Sequence, residues 1–300
     1  MSLLDNPTAP APNRPERRTS HRASTPSRAG HTLRNTPVSL IIGITVIVVI
    51  VVILVLTPWI MPYDPSAQNL SDRLAPSSSS HWLGTDQLGR DVLSRLMDGG
   101  RFSVSIAAIT LAICAVSGTL IGIVCARRRG ALDQFVMRVT DVLLAFPEMI
   151  VAMFLVAILG AGYTTLILAL VIGGWTPFAR LARGLTLEID SRDFIEAARA
   201  LGCSSTFIVF RHILPNALSP LTAHAALRFG HKLITVGALS FLGLGVQPPD
   251  ADWGSMLADA QPFMSASPGL VIYPGLAIFI TALSVTLIGQ GINARRSRQN

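Results

Sequence analysis

The chain has 300 residues, half of them apolar, with a mean hydropathy of +0.53 and only 14% charged residues. A soluble chain carries about a quarter charged residues. Here the apolar residues come in long runs rather than at core periodicity, which excludes an ordinary soluble domain and points to a polytopic membrane protein. The formal charge of +7 sits in short arginine clusters beside apolar runs, with no basic face carrying interleaved aromatics. That pattern suits membrane topology and argues against nucleic acid.

Residues 1–37 are rich in Pro, Ser, Thr and Arg and nearly lack large apolar side chains, so they are expected to remain a disordered basic tail. Arg17 and Arg18 invite a twin-arginine signal reading, but the apolar run after them is too long for a signal core and has no A-x-A site. That run, VSLIIGITVIVVIVVILVL over 38–56, reads as a membrane anchor. Its Ile, Val and Leu residues favour insertion by about 0.3–0.6 kcal/mol each near mid-span. Further spans are predicted over 102–126, 135–159, 164–178, 218–246 and 270–292. Each can cross about 30 Å at ~1.5 Å per residue, the fourth only marginally. The expected fold class is therefore all-α, with six transmembrane helices in a domain over 38–292 and a short tail over 293–300.

Between the first two spans a short amphipathic helix is predicted along the outer leaflet. Val92, Leu93, Leu96 and Met97 face one way, and Arg90, Asp91, Arg95 and Asp98 largely the other. Arg90 and Asp91 are expected to stabilise their own loop. Asp86 and Asp91 lack calcium-loop spacing. The third span carries Arg138, Asp141 and Glu148; Asp141 and Glu148 are seven apart and share a helix face, Arg138 can pair with Asp141, and Pro147 should kink the helix. In the fifth span His224, Arg228, His231 and Lys232 follow i, i+4, i+7, i+8 spacing and share a face. A central Arg or Lys costs roughly 2.5–3.5 kcal/mol on insertion scales, so that face should avoid lipid. Two readings stay open for it. Arg228 snorkels or pairs with the third span, or Asp141, Glu148, His224, Arg228 and His231 line a translocation pathway.

Arginines crowd the N-terminal tail, the second and fourth connections and the C-terminus, while the last connection, QPPDADWGSMLADAQPFMSASPG, has no Lys or Arg. The positive-inside rule then puts both termini and the 193–217 segment in the cytoplasm. The acids of that last connection, Asp250, Asp252 and Asp259, are either ordinary solvent-facing residues or a contact for a substrate-delivering protein. Cys114, Cys125 and Cys203 form neither a disulfide framework nor a C-x-x-C pair and read as small apolar filler. No metal site is expected.

The polar segment between spans four and five contains DFIEAARALG over 193–202, an amphipathic helix with Phe194, Ile195, Ala198 and Leu201 near one face and Arg192, Asp193, Glu196 and Arg199 on the other. Gly202 allows a turn, and Pro215 can lead the chain back into the membrane. On these residues alone it is a helix lying on the inner leaflet.

Glu196-Ala197-Ala198, then Gly202, then Leu214-Pro215, resembles the EAA pattern of importer permeases of the ATP-binding cassette type, with His212 where that pattern has an apolar residue. The resemblance implies that 193–201 is a coupling helix docking on a cytoplasmic ATPase: the Ala face permits close approach, Glu196 offers a charge-assisted contact, and Gly202 ends the helix. HWLGTDQLGRDVLSRLMDGG, DVLLAFP and LSFLGLGVQPPDADWGSML resemble the dipeptide, oligopeptide and nickel group of that family, and the large first loop resembles its C-type subunit. The likeness extends over about 38–292. It implies a second homologous permease, cytoplasmic ATP-binding subunits and an extracytoplasmic substrate-binding protein as partners, with ATP and Mg held by the ATPases and no cofactor on this chain. The sequence agrees: its only lysine is Lys232, so it has no P-loop, and no H-E-x-x-H or G-x-S-x-G motif suggests an enzyme. Di- and oligopeptides are the leading expectation for substrate. Nickel or a metal chelate is the alternative, because Gly230-His231 and the neutral Val236 look nearer to nickel-type members and imidazole can ligate nickel. A secondary transporter driven by an ion gradient through Asp141, Glu148 and the histidines is the rival of another class.

Overall fold

The computed structural model describes residues 38–297, with side chains to 295. The expected tail over 1–37 and the last residues, 298–300, lie outside the described residues. Among those described there is no β-strand, only an isolated bridge between Thr85 and Asp91. The helices are α1 (Val38–Ile60), α2 (Val92–Arg128), α3 (Gly130–Ala145), α4 (Glu148–Leu159), α5 (Tyr163–Gly174), α6 (Thr176–Asp190), α7 (Asp193–Ala200), α8 (Ser205–Ile208), α9 (Leu214–Phe241), α10 (Trp253–Ala260) and α11 (Gly269–Ser297).

By length and composition α1, α2, the α5–α6 run and α11 can each cross a membrane, and the bent pair α3–α4 makes a fifth candidate. At 28 residues α9 is long enough, but Arg228, Lys232 and the two histidines dilute its apolar character. Length and composition thus account for up to five of the six spans expected. The marginal fourth span gains length because α6 continues α5 almost without a break, Trp175 staying helical between them.

α2 is the central helix, and small residues set its contacts. A Cβ on Gly118 would lie 2.4 Å from the Trp175 carbonyl oxygen, and one on Gly122 would lie 2.3 Å from that of Ala179. This G-x-x-x-G face lets α6 lie backbone to backbone on α2, the packing that substitutes for hydrophobic drive in lipid. α1 sits on α11 in the same way, with Gly43 against Ser284 and Gly291 against Leu40. Its other side, including Ile41, Val48, Val49 and Val55, stays exposed, as suits a helix turned toward lipid.

The amphipathic helix expected along the outer leaflet is instead the first turns of α2, continuous into the span. Its charged residues belong to a cap built from the loops before α2 and after α9. Arg90 pairs with Asp86 at 2.7 Å, and Arg95 reaches Asp86 at 3.2 Å and Asp259 at 3.4 Å. Asp91 caps α2 by accepting from the Ser94 amide at 2.8 Å, and the His81 ring lies 2.9 Å from its carboxylate. Arg90 and Asp91 thus hold their own loop, as expected. Trp253 seals the cap, donating from Nε1 to the Leu96 carbonyl at 2.8 Å and from its amide to Ser103 Oγ at 3.0 Å. Gly100 makes room for it: a Cβ there would meet its indole at 2.7 Å, while Gly99 lies against the backbone of Ala251 and Asp252.

LSFLGLG is a helix stop. Gly243 has φ +79°, its amide donates to Ser240 O at 2.9 Å and that of Leu244 to Leu239 O at 3.0 Å, which together close a Schellman motif. α9, the predicted fifth span, therefore ends at Phe241, five residues before the predicted limit at Val246.

Candidate functional site

The 193–217 segment folds as predicted in outline. α7 is the amphipathic helix, carrying Asp193 and Glu196 in its first turn and Arg199 in its last, the order that suits the helix dipole. Ile195 and Ala198 are buried with Ala182 and Ile189 of α6 and with Ile208 and Ile213 beyond the turn. Phe194 and Leu201, expected on the same face, are exposed, Leu201 to 83%. The cause is the cap. Gly202 takes φ +80°, its amide donates to Arg199 O at 2.9 Å and the Cys203 amide to Ala198 O at 3.1 Å. This second Schellman motif swings Leu201 outward and tucks Cys203 against the buried cluster. Glu196 and Ala197 are exposed, whereas Ala198 is buried, so of the two alanines only Ala197 reaches the surface. Leu214 and Pro215 begin α9 after a π-turn over Val209–Ile213. The wider turn suits Pro215, which lacks an amide for the carbonyl of Arg211 and would clash with it in a regular helix.

Asp190, at the end of α6, fastens α7 to the bundle. Its carboxylate is only 7% exposed and collects Arg127 of α2 at 2.7 Å, Arg199 of α7 at 2.5 Å and Arg129 at 3.7 Å. Arg127 also donates to Ser205 Oγ at 2.9 Å, beyond the turn. A second tie, Arg183 to Asp133 with two bonds of 2.6 Å, holds α6 to α3. Neither acid was legible as a site from sequence, since its partners lie 50 or more residues away apart from Arg199.

The intramembrane charges divide differently from the expectation. The third span is broken rather than kinked: α3 and α4 meet at 89° around Phe146 and Pro147. Phe146 is extended, as a residue preceding proline tends to be. Asp141 and Glu148 therefore do not share a face. Asp141 pairs with Arg180, not Arg138, and both partners are more than half exposed. Glu148 turns to α9, where it binds Lys232 and approaches Arg228 at 3.4 Å. Lys232 is fully buried and also donates to the Leu170 carbonyl at 3.2 Å. Arg228 lies 13 residues from the end of α9, roughly 20 Å along the helix, and its contact with Glu148 is the ion pair to the third span that the sequence allowed. Glu148, Arg228, His231 and Thr235 line a cavity of about 430 Å³, with Pro147 and Gly173 on its other walls. His224 stands apart, edge-on to Phe178 at 5.0 Å. Among the described residues no three His, Cys, Asp or Glu side chains gather as a metal site.

Residues 118–298 match the family described as the binding-protein-dependent transport system inner membrane component, and residues 37–76 match the N-terminal TM domain of oligopeptide transport permease C. The chain belongs to this permease family. The glutathione transport system permease protein GsiD of Pectobacterium atrosepticum is 41% identical over 235 residues, 78% of each chain. The dipeptide transport system permease protein DppC of Alkalihalophilus pseudofirmus is 33% identical over 283 residues, 94% of this chain and 93% of that one. The fold is shared with the MetNI methionine ABC transporter in an inward-facing conformation, at TM-score 0.55 and 19% identity over 66% of this chain and 95% of that one. The protein is thus a multi-pass membrane permease subunit of an ABC importer, not itself an enzyme.

The permease cap uses the acids of its last connection structurally. Asp252 is fully buried and N-caps α10 through the Gly254 and Ser255 amides at 2.8 and 2.9 Å, and burial raises its pKa. Asp259, whose pKa burial also raises, faces Arg90 and Arg95. Of the three, only Asp250 stays exposed without such a role.

Proposed function

We propose that this permease moves di- or oligopeptides inward across the cytoplasmic membrane, with α7 as the helix that docks on a partner ATPase. The proposal includes a second homologous permease, cytoplasmic ATP-binding subunits and an extracytoplasmic binding protein, with ATP and Mg on the ATPases. It puts both termini and α7 in the cytoplasm, and the Trp253 cap outside. Residues 38–292 form the transport domain, flanked by cytoplasmic tails over 1–37 and 293–300. Glu196, Ala197, Ala198, Gly202, Leu214 and Pro215 form or shape the docking turn, and Glu148, Arg228 and His231 line the pathway. The carrying observation is α7 itself: a short helix with Glu196 and Ala197 exposed, clamped through Asp190 to α2 and α6. A helix that only lay on lipid would need no ionic anchor to two membrane helices. The peptide assignment is supported by the relatives, which are permeases of glutathione and dipeptide transport systems.

Copurification tests the docking. Glu196→Lys reverses a charge at a docked surface and should reduce ATPase recovery several-fold while the permease still inserts. Wild-type recovery together with wild-type peptide uptake would remove the coupling role.

A further inference from the structure

The charges around the cavity do not balance. Glu148 is one carboxylate facing two cations, Arg228 and Lys232. The two are not held alike. Lys232 is buried and has two acceptors, one oxygen of the Glu148 carboxylate and the Leu170 carbonyl. Its ammonium lies where a side chain on Gly174 would be, with a Cβ there only 2.5 Å from Nζ, so the site for it is built into α5. Arg228 has only the long 3.4 Å contact to the other oxygen, and its Nε is buried without an acceptor. It is the cation with donors to spare, on the wall of a cavity whose volume is in the range of small-ligand sites.

A surplus positive charge at mid-helix in a membrane protein is costly unless an anion meets it. A guanidinium presents parallel donors that match a carboxylate in bidentate fashion, which an ammonium cannot do. We infer that Arg228 is a recognition site for a carboxylate of the passing substrate, with Lys232 holding one oxygen of Glu148 so that Arg228 keeps only the single long contact to the other. For a peptide the natural ligand is the C-terminal carboxylate. The inference rests on the peptide reading above.

Two measurements test it on the complete transporter, permeases, ATPases and binding protein, reconstituted in phosphatidylcholine vesicles. The first is uptake of trialanine and of trialanine amide, each at a concentration that saturates the binding protein. The wild type should prefer the free acid, Arg228→Gln should lower that preference about tenfold, the scale of one charge-assisted contact, and Arg228→Lys should retain part of it. Acid and amide falling together, or neither changing, overturns the site. The second is modification of Arg228 by phenylglyoxal, read by mass spectrometry with the exposed Arg180 as control. Trialanine should slow the reaction at Arg228 and its amide should not. Equal rates with both overturn the site, and so does protection that depends on added phosphatidylglycerol rather than on peptide, since the anion would then be a lipid phosphate. An Arg228 that the reagent never reaches leaves the uptake ratio to decide. Uptake of trialanine with Arg228 unprotected sinks only the carboxylate site; protection in wild-type vesicles that import neither peptide sinks the importer reading instead.

Discussion

Replacing Asp190 by Ala should free α7 from the bundle while leaving the membrane helices in place. The side chain is 7% exposed, whereas its partners Arg127, Arg199 and Arg129 are 18%, 46% and 68% exposed. Removing one member of a buried pair costs about 3–5 kcal/mol, and an exposed pair contributes about 0.2–1 kcal/mol. Here the arginines can rehydrate and Arg127 keeps Ser205, so about 2 kcal/mol is the reasonable middle. The loss falls first on the local opening of α7, which Arg199 no longer holds; α2 and α6 lose the Arg127 bond but keep their close backbone packing at Gly118 and Gly122. At 1.4 kcal/mol per decade, the exchange of α7 backbone amides should accelerate about 30-fold. Hydrogen exchange on the purified complex reads this directly, with residues 229–241 as the unchanged reference. On the docking proposal, transport per ATP hydrolysed should fall in the same variant, because a loosened helix would no longer transmit the ATPase stroke. Unaltered exchange over 193–201 would refute the clamp, whatever happened to uptake.

Gly122→Ala puts a methyl 2.3 Å from the Ala179 carbonyl oxygen, a backbone atom that cannot swing away, so the α2–α6 contact should loosen by about 1–3 kcal/mol and the thermal midpoint of the purified permease should drop. At Gly202 the space around a new Cβ is empty, and only the φ of +80° resists substitution. Gly202→Asn should therefore support near-normal uptake and Gly202→Val should not, a split that steric crowding would not produce. Trp253→Ala removes a buried indole and its bond to Leu96; a loss of about 3–5 kcal/mol should appear as protease sensitivity of the 61–91 loop.

The amphipathic period of α7 was legible because Ile195 and Ala198 fall three apart and both find the core. Leu201 misled, since its direction is set by the Gly202 cap and not by helical phase. Pro147 announced an interruption, but proline alone gives a kink. The 89° break also requires Glu148 to leave the helical path of Asp141 and reach Lys232, a residue 84 positions away that periodicity cannot connect to it. In the same way a glycine pair between charged and apolar residues looks like a boundary. Gly99 and Gly100 lie inside α2, where the loop after α9, far along the chain, packs on their bare surface: the backbone of Ala251 and Asp252 on Gly99, the Trp253 indole on Gly100. Local chemistry was readable wherever one element determines it. It failed where a partner distant in sequence does.

The two regions of interest are joined by a single rigid element. α6 begins beside the cavity, where Pro177 and the adjoining Gly173 form its wall, and ends at Asp190, which holds α7. The 15 residues between span about 22 Å of helix. Over that length α6 cannot slide freely, because Gly118 and Gly122 bring its backbone against α2 and Arg183 ties it to α3. A push on α7 must therefore move α2, α3 and α6 together, and the compliance has to lie elsewhere. Two places offer it. One is the Phe146–Pro147 break, where no regular helix bond links α3 to α4; the other is the loosely held contact of Arg228 to Glu148, which is also on the cavity wall. If α7 docks on an ATPase as proposed, motion delivered there would be taken up where the cavity charges sit, so that one helix, α6, would link the proposed docking site to the proposed pathway.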